Sequence, residues 1–266
     1  MRYGKNYRII DTMKRMSLML FLMVFAFTAP IYAEAFKVTT LSTREKHIKT
    51  YRKDRGEYLW KSSTWSTTYE SQGKWYIKAL DEGEGIWGNG NQFRTWHAET
   101  IYLYDNNAIV PRISSLVFKD RGGVTVESLT VKYDEKDRRA VARMLNSKKE
   151  FEFREGLIDK NALGIVLMNY PYERENDFVF PMLTNEPSYY SMTMVNRGKE
   201  ILTVNGASFE CYKLQMVPDL GFLGIFAPFV PKTYFWYTVS SPHEFIRYEG
   251  LESGLNTPYI VMEAQD

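Results

Sequence analysis

The sequence contains few groups that could do chemistry, and their spacing argues against a catalyst. Of the three histidines, His97 has the best-placed neighbour, because Glu99 would share its face of a β-strand. Such a pair could supply two ligands to a metal ion, but a zinc site needs three or four and no third ligand is indicated. We therefore expect a surface or core histidine here, no metal and no cofactor.

Asp81–Asn91 combines acidic residues with glycines, in the order DEGEGIWGNGN. Clustered carboxylates could hold calcium weakly, but the segment lacks the spaced ligand order of a calcium-binding loop. The segment is therefore predicted to be a solvated, glycine-rich acidic loop.

Cys211 is the single cysteine of the chain, so it cannot form an internal disulfide. Alternation over Ala207–Leu214 places it with Phe209 and Lys213 on one face of a strand. No base is indicated nearby to activate the thiol, which predicts a half-buried structural cysteine. The chain also lacks a Gly-x-Ser-x-Gly nucleophile elbow and a phosphate-binding loop, and we expect that it is not an enzyme.

Residues 1–33 have the composition of a cleavable signal peptide. Basic residues precede the apolar run Leu18–Phe27, which is shorter than the roughly 20 residues of a membrane-spanning helix. Ala33 offers a small residue at the cleavage site, and Glu34 then begins the mature chain. We expect a periplasmic protein without a stable membrane anchor; the alternative is a retained N-terminal anchor.

Cleavage also changes the net charge. The chain has 34 basic and 32 acidic residues, and the signal peptide holds five of the former and one of the latter, so the mature chain carries a net charge of −2. A near-neutral protein has no basic face to neutralise phosphates. We therefore expect no nucleic-acid partner.

The elements that must position any site are mostly strands. The chain has 19 Tyr, 16 Phe and 6 Trp, and aromatic residues favour β-structure. Alternating apolar and polar residues dominate from about residue 56, and Asp120–Gly123 and Asn205–Gly206 predict hairpin turns. Asp159–Asn169 is predicted to be a short helix, with Asp159 as its N-cap and Pro171 after its end.

These elements predict a mainly β fold: roughly a dozen antiparallel strands in a meander, with one inserted helix, in a single domain over residues 34–266. A large twisted meander must close or have one face covered. An open half-barrel wrapped around the helix would satisfy this demand.

The C-terminal third carries a family resemblance. Its residues lie in the runs Gly198–Gly206 and Phe209–Leu214 and in the runs Tyr234–Thr238 and Phe245–Glu249. This pattern resembles a family of exported bacterial β-proteins of unknown function, related in fold to the periplasmic lipoprotein carriers of the Lol system. The resemblance implies an open half-barrel with an apolar concave face and no catalytic residues.

Leu220–Val230, LGFLGIFAPFV, is nearly all apolar but is too short and too broken for a membrane span. One interpretation is functional: the segment is a mobile flap over a lipid-sized cavity, or a loop that touches the membrane. The other is structural: the segment crosses between two strands and packs in the core. Aromatic residues in strand-like runs could likewise line a pocket for acyl chains or fill the core. The candidate ligand-binding residues are Trp60, Trp96, Tyr102, Phe222, Phe226, Phe229, Phe235 and Tyr237.

The sequence favours a non-enzymatic periplasmic protein that holds an apolar ligand, either a lipid or the acyl chains of a lipoprotein, in a half-barrel. The helix or the Phe222–Phe229 loop would act as a lid. The alternative is an envelope protein–protein interaction module with a filled aromatic core. A cavity of roughly 300 Å³ or more favours ligand binding over the alternative.

Overall fold

The structure is a computed structural model that describes residues 37–88, 92–173, 177–184, 187–219, 230–254 and 257–265. The predicted signal peptide, residues 1–33, and three candidate ligand-binding residues, Phe222, Phe226 and Phe229, lie outside the described residues. Residues 33–266 belong to one compact unit.

Alternation of apolar and polar side chains produces strands along almost the whole described chain. The strands are β1 (Thr43–Arg52), β2 (Tyr58–Ser71), β3 (Lys74–Trp87), β4 (Gln92–Asp105), β5 (Ala108–Lys119), β6 (Thr125–Asp134), β7 (Arg139–Met144), β8 (Lys148–Glu152), β9 (Ile158–Asp159), β10 (Phe178–Leu183), β11 (Tyr189–Val204), β12 (Ala207–Pro218), β13 (Thr233–Thr238), β14 (Phe245–Leu251) and β15 (Tyr259–Ala264). A 3₁₀ turn (Lys160–Ala162) and the helix α1 (Leu163–Met168) follow β9.

All these strands form one sheet in the order β8-β7-β6-β5-β4-β3-β2-β1-β15-β14-β13-β12-β11-β10-β9. The sheet therefore consists of a first meander, β1–β8, and a second, β9–β15, which meet where β15 pairs antiparallel with β1. At this junction Ile48 lies opposite Ala264. The two edge strands, β8 and β9, do not pair with each other, so the sheet is open. The predicted mainly β, open antiparallel meander with one inserted helix is confirmed.

The sheet curls around the helix. Side chains of α1 pack in one hydrophobic cluster with Ile77 and Tyr102 from the first meander and with Phe180 and Leu214 from the second. Near the open edges, the ring centroids of Phe151 on β8 and Tyr189 on β11 lie 5.2 Å apart. The helix therefore covers the concave face, as the predicted half-barrel requires.

The helix is anchored at both ends. The Asp159 side chain caps the 3₁₀ turn that leads into α1 by accepting a hydrogen bond from the Asn161 backbone N–H at 2.9 Å, and it also accepts one from the Tyr133 hydroxyl at 2.5 Å. At the other end, the Asn169 side-chain oxygen accepts from the backbone N–H groups of Thr39 and Thr40. Asp159 is an N-cap as predicted, but it caps the 3₁₀ turn, and the α-helix begins only at Leu163, without a side-chain cap of its own. Five of the six residues of α1 are buried, as expected for a helix that is apolar nearly all round.

The predicted loop over Asp81–Asn91 is wrong, because β3 continues to Trp87. Gly83 and Gly85 face neighbouring tryptophans: a Cβ on Gly83 would lie 2.2 Å from Trp96 Cζ2, and one on Gly85 would lie 2.4 Å from Trp60 Cβ. Only glycine leaves room for these rings, so packing between strands overrides the low strand preference of glycine. The alternate acids point outward, where Glu84 pairs with Lys61 at 2.8 Å.

Cys211, predicted to be half-buried, is fully buried. It packs with Val204, Trp236 and Ile246 in a small hydrophobic cluster separate from the main core. Burial raises the pKa of its thiol to about 11. The thiol is therefore protonated at neutral pH and poorly suited to nucleophilic attack.

Candidate ligand-binding cavity

A cavity of about 660 Å³ lies between the concave face of the sheet and the helix, and it is partly open to the surface. Alternate residues of successive strands line it, as the period of two requires. On β2, for example, these are Trp60, Ser62, Thr64 and Ser66. The helix contributes Leu163, Gly164, Ile165, Leu167 and Met168.

An aromatic cluster forms one wall of the cavity. Trp87 lies 4.9 Å from Trp60, 5.1 Å from Trp96 and 5.2 Å from Phe118 between ring centroids. Three tryptophans that touch one another on separate strands form a rigid surface, because each ring is held by its neighbours. This wall offers a large apolar contact area for a ligand.

The structure brings four of the eight sequence-predicted residues to this cavity: Trp60, Trp96, Phe235 and Tyr237. Tyr102 shares their face of the sheet but is 1% exposed and packs in the core cluster that contains the helix. It is not one of the lining residues. A role in ligand binding stays a prediction for all eight.

Trp87 is not among the predicted ligand-binding residues, because it lies in the segment that is predicted to be a loop. The available signal was the period of two, which places Trp87 on the same face as Asp81, Gly83 and Gly85. The methionines Met182, Met216 and Met262 also line the cavity. Methionine side chains are flexible and adapt to irregular apolar surfaces.

Ion-paired residues lie at the wall formed by the start of β1. Arg44 and Lys46 both bond to the Glu244 carboxylate, each at 3.0 Å. The Lys46 side chain is only 9% exposed, and these two cations hold the pKa of Glu244 below its usual range despite its burial. The two cations share one carboxylate at the cavity wall, so this group of three side chains carries one excess positive charge.

Asp81 lines the same cavity from β3. Its Oδ1 accepts a hydrogen bond from the indole N–H of Trp96 at 2.6 Å. Burial raises the pKa of this carboxyl to about 6, although the bond from Trp96 offsets part of the rise. Its remaining accessible surface faces the cavity, which explains how a partly exposed residue is so strongly desolvated.

Glu252 is the third acid at the cavity. Its Oε1 accepts the backbone N–H of Gly88 at 3.0 Å, whereas its buried Oε2 has no hydrogen-bond partner among the described residues. Burial raises the pKa of Glu252, and the positive charges of Lys160 and Arg52 offset part of this effect.

The geometry offers no metal centre within the described ranges, because no three His, Cys, Asp or Glu side chains cluster there. His97 and Glu82 are about half exposed, with 3.5 Å between Nδ1 and Oε2. Glu99 pairs instead with Lys78 on the neighbouring strand at 2.6 Å. In the part of the chain that the structure describes, no helix has the length and apolarity needed to cross a membrane.

Fold and cavity together define the class of protein: an open, curled antiparallel β-sheet with a buried helix and an apolar cavity between them. The chain belongs to DUF3108, a family of proteins of unknown function, whose sequence profile matches residues 103–252, more than half of the 266 residues. The prediction that the chain belongs to a family of unknown function is therefore confirmed. No curated protein matches the sequence.

Two of the solved structures that are similar to the chain illustrate the fold. One is a β-barrel-like protein of the domain of unknown function DUF1849 from Brucella abortus, with 7% identity over 86% of this chain and 100% of that chain, at a TM-score of 0.49. The other is a putative exported protein with a YmcC-like fold from Bacteroides fragilis, with 8% identity over 87% and 98% of the two chains, at a TM-score of 0.29. At these scores neither likeness carries an argument about function.

Proposed function

We propose that the protein is a non-enzymatic binding protein of the periplasm that holds an apolar ligand, a lipid or the acyl chains of a lipoprotein, in the cavity between sheet and helix. One observation carries the proposal: a cavity of about 660 Å³ with mostly apolar and aromatic walls. Ligand pockets typically measure roughly 300–1,000 Å³ and have such walls. The resemblance to the lipoprotein carriers of the Lol system supports the proposal, but it does not identify any ligand-binding residue in this chain.

The binding is passive. Each methylene group that moves from water into the cavity contributes about 0.8 kcal/mol, and no covalent step is needed. The tryptophans of this wall already pack against one another, so little side-chain entropy is lost when an acyl chain lies against them. Because the helix is also anchored at both ends, the cavity is preformed and the helix loses little freedom when a ligand binds.

The cavity counts against the alternative, a protein–protein interaction module with a filled aromatic core. A filled core would leave no space of this size between α1 and the concave face. If an acyl-chain probe did not bind to the wild-type protein, that result would favour this alternative.

Gly164 provides a sharp test. It lies on α1 and lines the cavity, and a Cβ added to it would meet no atom within 4 Å. Gly164 is exposed, so Gly164→Trp places an indole where the cavity opens to the surface, at a position that tolerates a side chain. Gly164→Ala is the matched control, because it removes the same helix-interior glycine, a change worth about 1 kcal/mol of helix stability, without filling the cavity.

The assay titrates a fluorescent acyl-chain probe into the purified protein and both variants. We expect the wild type and Gly164→Ala to bind the probe with similar affinity and Gly164→Trp to lose at least tenfold in affinity. Equal binding by all three proteins would place the probe outside this cavity. Absence of binding to the wild type would contradict the proposed function.

A further inference from the structure

A polar strip crosses the apolar concave face at one place. Lys46 on β1 is opposite Thr64 on β2, and Thr64 is opposite Asp81 on β3. Neighbouring strands lie about 4.8 Å apart, so this row spans roughly 10 Å. Ser62 is two residues from Thr64 on the same face and also lines the cavity.

Two hydrogen-bonding atoms of this strip have no partner among the residues that the structure describes. Ser62 is only 6% exposed, and its buried Oγ has no hydrogen-bond partner among the described residues. Asp81 uses Oδ1 for the Trp96 indole, and no described residue bonds to its Oδ2. A buried hydroxyl without a partner costs free energy unless a ligand or water satisfies it.

The charges around the cavity balance. The described lining residues include three bases and three acids: Arg44, Lys46, Lys160, Asp81, Glu244 and Glu252. Arg44 and Lys46 already bond to Glu244, and the Asp81 carboxylate would repel an anionic headgroup that approached the strip. The described lining residues therefore carry no net positive charge that would attract a free fatty acid or a phospholipid phosphate.

We infer that the cavity selects amphiphiles with an uncharged, hydroxyl-bearing headgroup, of the acylglycerol or glycolipid class, whose hydroxyls bond to Ser62 and Asp81 while the acyl chain lies against the tryptophan wall. A hydroxyl can donate to the Asp81 carboxylate and can also donate to or accept from the Ser62 hydroxyl. This inference rests on the proposed function, since it requires an acyl chain in the cavity.

The test compares three twelve-carbon probes below their micelle concentrations at pH 7.5: 1-lauroylglycerol, dodecyl glucoside and laurate. Calorimetric titration gives the affinity of each for the full protein and for Ser62→Ala, Asp81→Asn and the control Glu82→Gln. Glu82 precedes Asp81 on β3, but its side chain is 53% exposed. Unfolding midpoints of all variants establish that they are folded.

We expect at least one uncharged probe to bind about tenfold more tightly than laurate. Ser62→Ala should weaken that probe roughly three- to tenfold, the range of one net hydrogen bond. Asp81→Asn should reduce the ratio of the affinity for that probe to the affinity for laurate, because it removes a negative charge beside the headgroup. Glu82→Gln should change this ratio much less, because the Glu82 side chain is exposed. Comparison of the two uncharged probes distinguishes a glycerol headgroup from a sugar.

Laurate binding as tightly as both uncharged probes, with a ratio that neither Ser62→Ala nor Asp81→Asn changes, would overturn the headgroup inference and leave the proposed function intact. Binding of none of the three probes would overturn both.

Discussion

Asp81 makes the stability of the fold depend on pH. Its pKa rises from 3.8 to about 6, mainly because burial disfavours the charged form. An acid whose pKa is raised on folding binds its proton more tightly in the folded state, so its contribution to stability falls as pH rises from 3.8 through 6. The rise corresponds to about 3 kcal/mol of lost stability well above pH 6.

Asp81→Asn should remove this dependence. The amide oxygen can still accept the hydrogen bond from Trp96, but the side chain no longer ionises. The difference in unfolding free energy between the variant and the wild type should increase by about 2 kcal/mol between pH 4.5 and pH 7.5, the part of the 3 kcal/mol that lies in this window. Urea unfolding of both proteins at several pH values measures this difference. The contributions of the other titrating groups cancel in it, because both proteins contain those groups.

The neighbouring charges on Glu82 and His97 also act on Asp81: the first raises its pKa and the second lowers it. Glu82→Gln is the control, because its exposed side chain should leave most of the pH dependence in place. A pH-independent difference between wild type and Asp81→Asn would refute the claim that Asp81 is desolvated by the cavity wall. A difference that decreases with rising pH would refute the assigned direction.

Three further substitutions or measurements test the fold around the cavity. Gly83→Ala should destabilise the protein by about 1–3 kcal/mol in urea unfolding, the usual cost of overpacking, because its Cβ would clash with Trp96. Asp159→Ala should cost about 2–4 kcal/mol in the same assay, since it removes the cap of the 3₁₀ turn before α1 and leaves the buried Tyr133 hydroxyl without its acceptor. The Cys211 thiol is fully buried and should react with an aromatic disulfide reagent at pH 8 only as the protein unfolds.

Each of these has its own control. Glu84→Ala, on the outward face of β3, should cost less than Gly83→Ala, and equal costs would contradict the inward packing of the glycine. Asp159→Asn keeps an N-cap and an acceptor, so a loss as large as that of Asp159→Ala would argue against both hydrogen bonds. Complete labelling of Cys211 within seconds in the native protein would contradict its burial.

The sequence predicts most of the fold because its local signals agree with the tertiary structure. The Asn205–Gly206 turn connects β11 and β12, and the strand alternation of Trp96, Ala98 and Thr100 reappears as a row of buried residues on β4. Asp159 acts as the predicted N-cap, at the 3₁₀ turn that precedes α1, because an N-cap is a local interaction between residues close in sequence.

The failures concern interactions between distant parts of the chain. Gly83 and Gly85 indicate a loop when only local preference is considered, and Trp96 and Trp60, which explain them, are contributed by other strands. The same error concealed Trp87. The Lys46–Glu244 pair joins residues 198 positions apart, so no spacing in the sequence could have placed both at one cavity.

Native mass spectrometry of the protein purified without detergent tests the central claim most directly. We expect a bound molecule of defined mass that organic extraction recovers as a lipid, absent from the Gly164→Trp variant and present in the Gly164→Ala variant. A bare protein mass for the wild type, together with no uptake of added lipid, would show that the protein does not hold an apolar ligand.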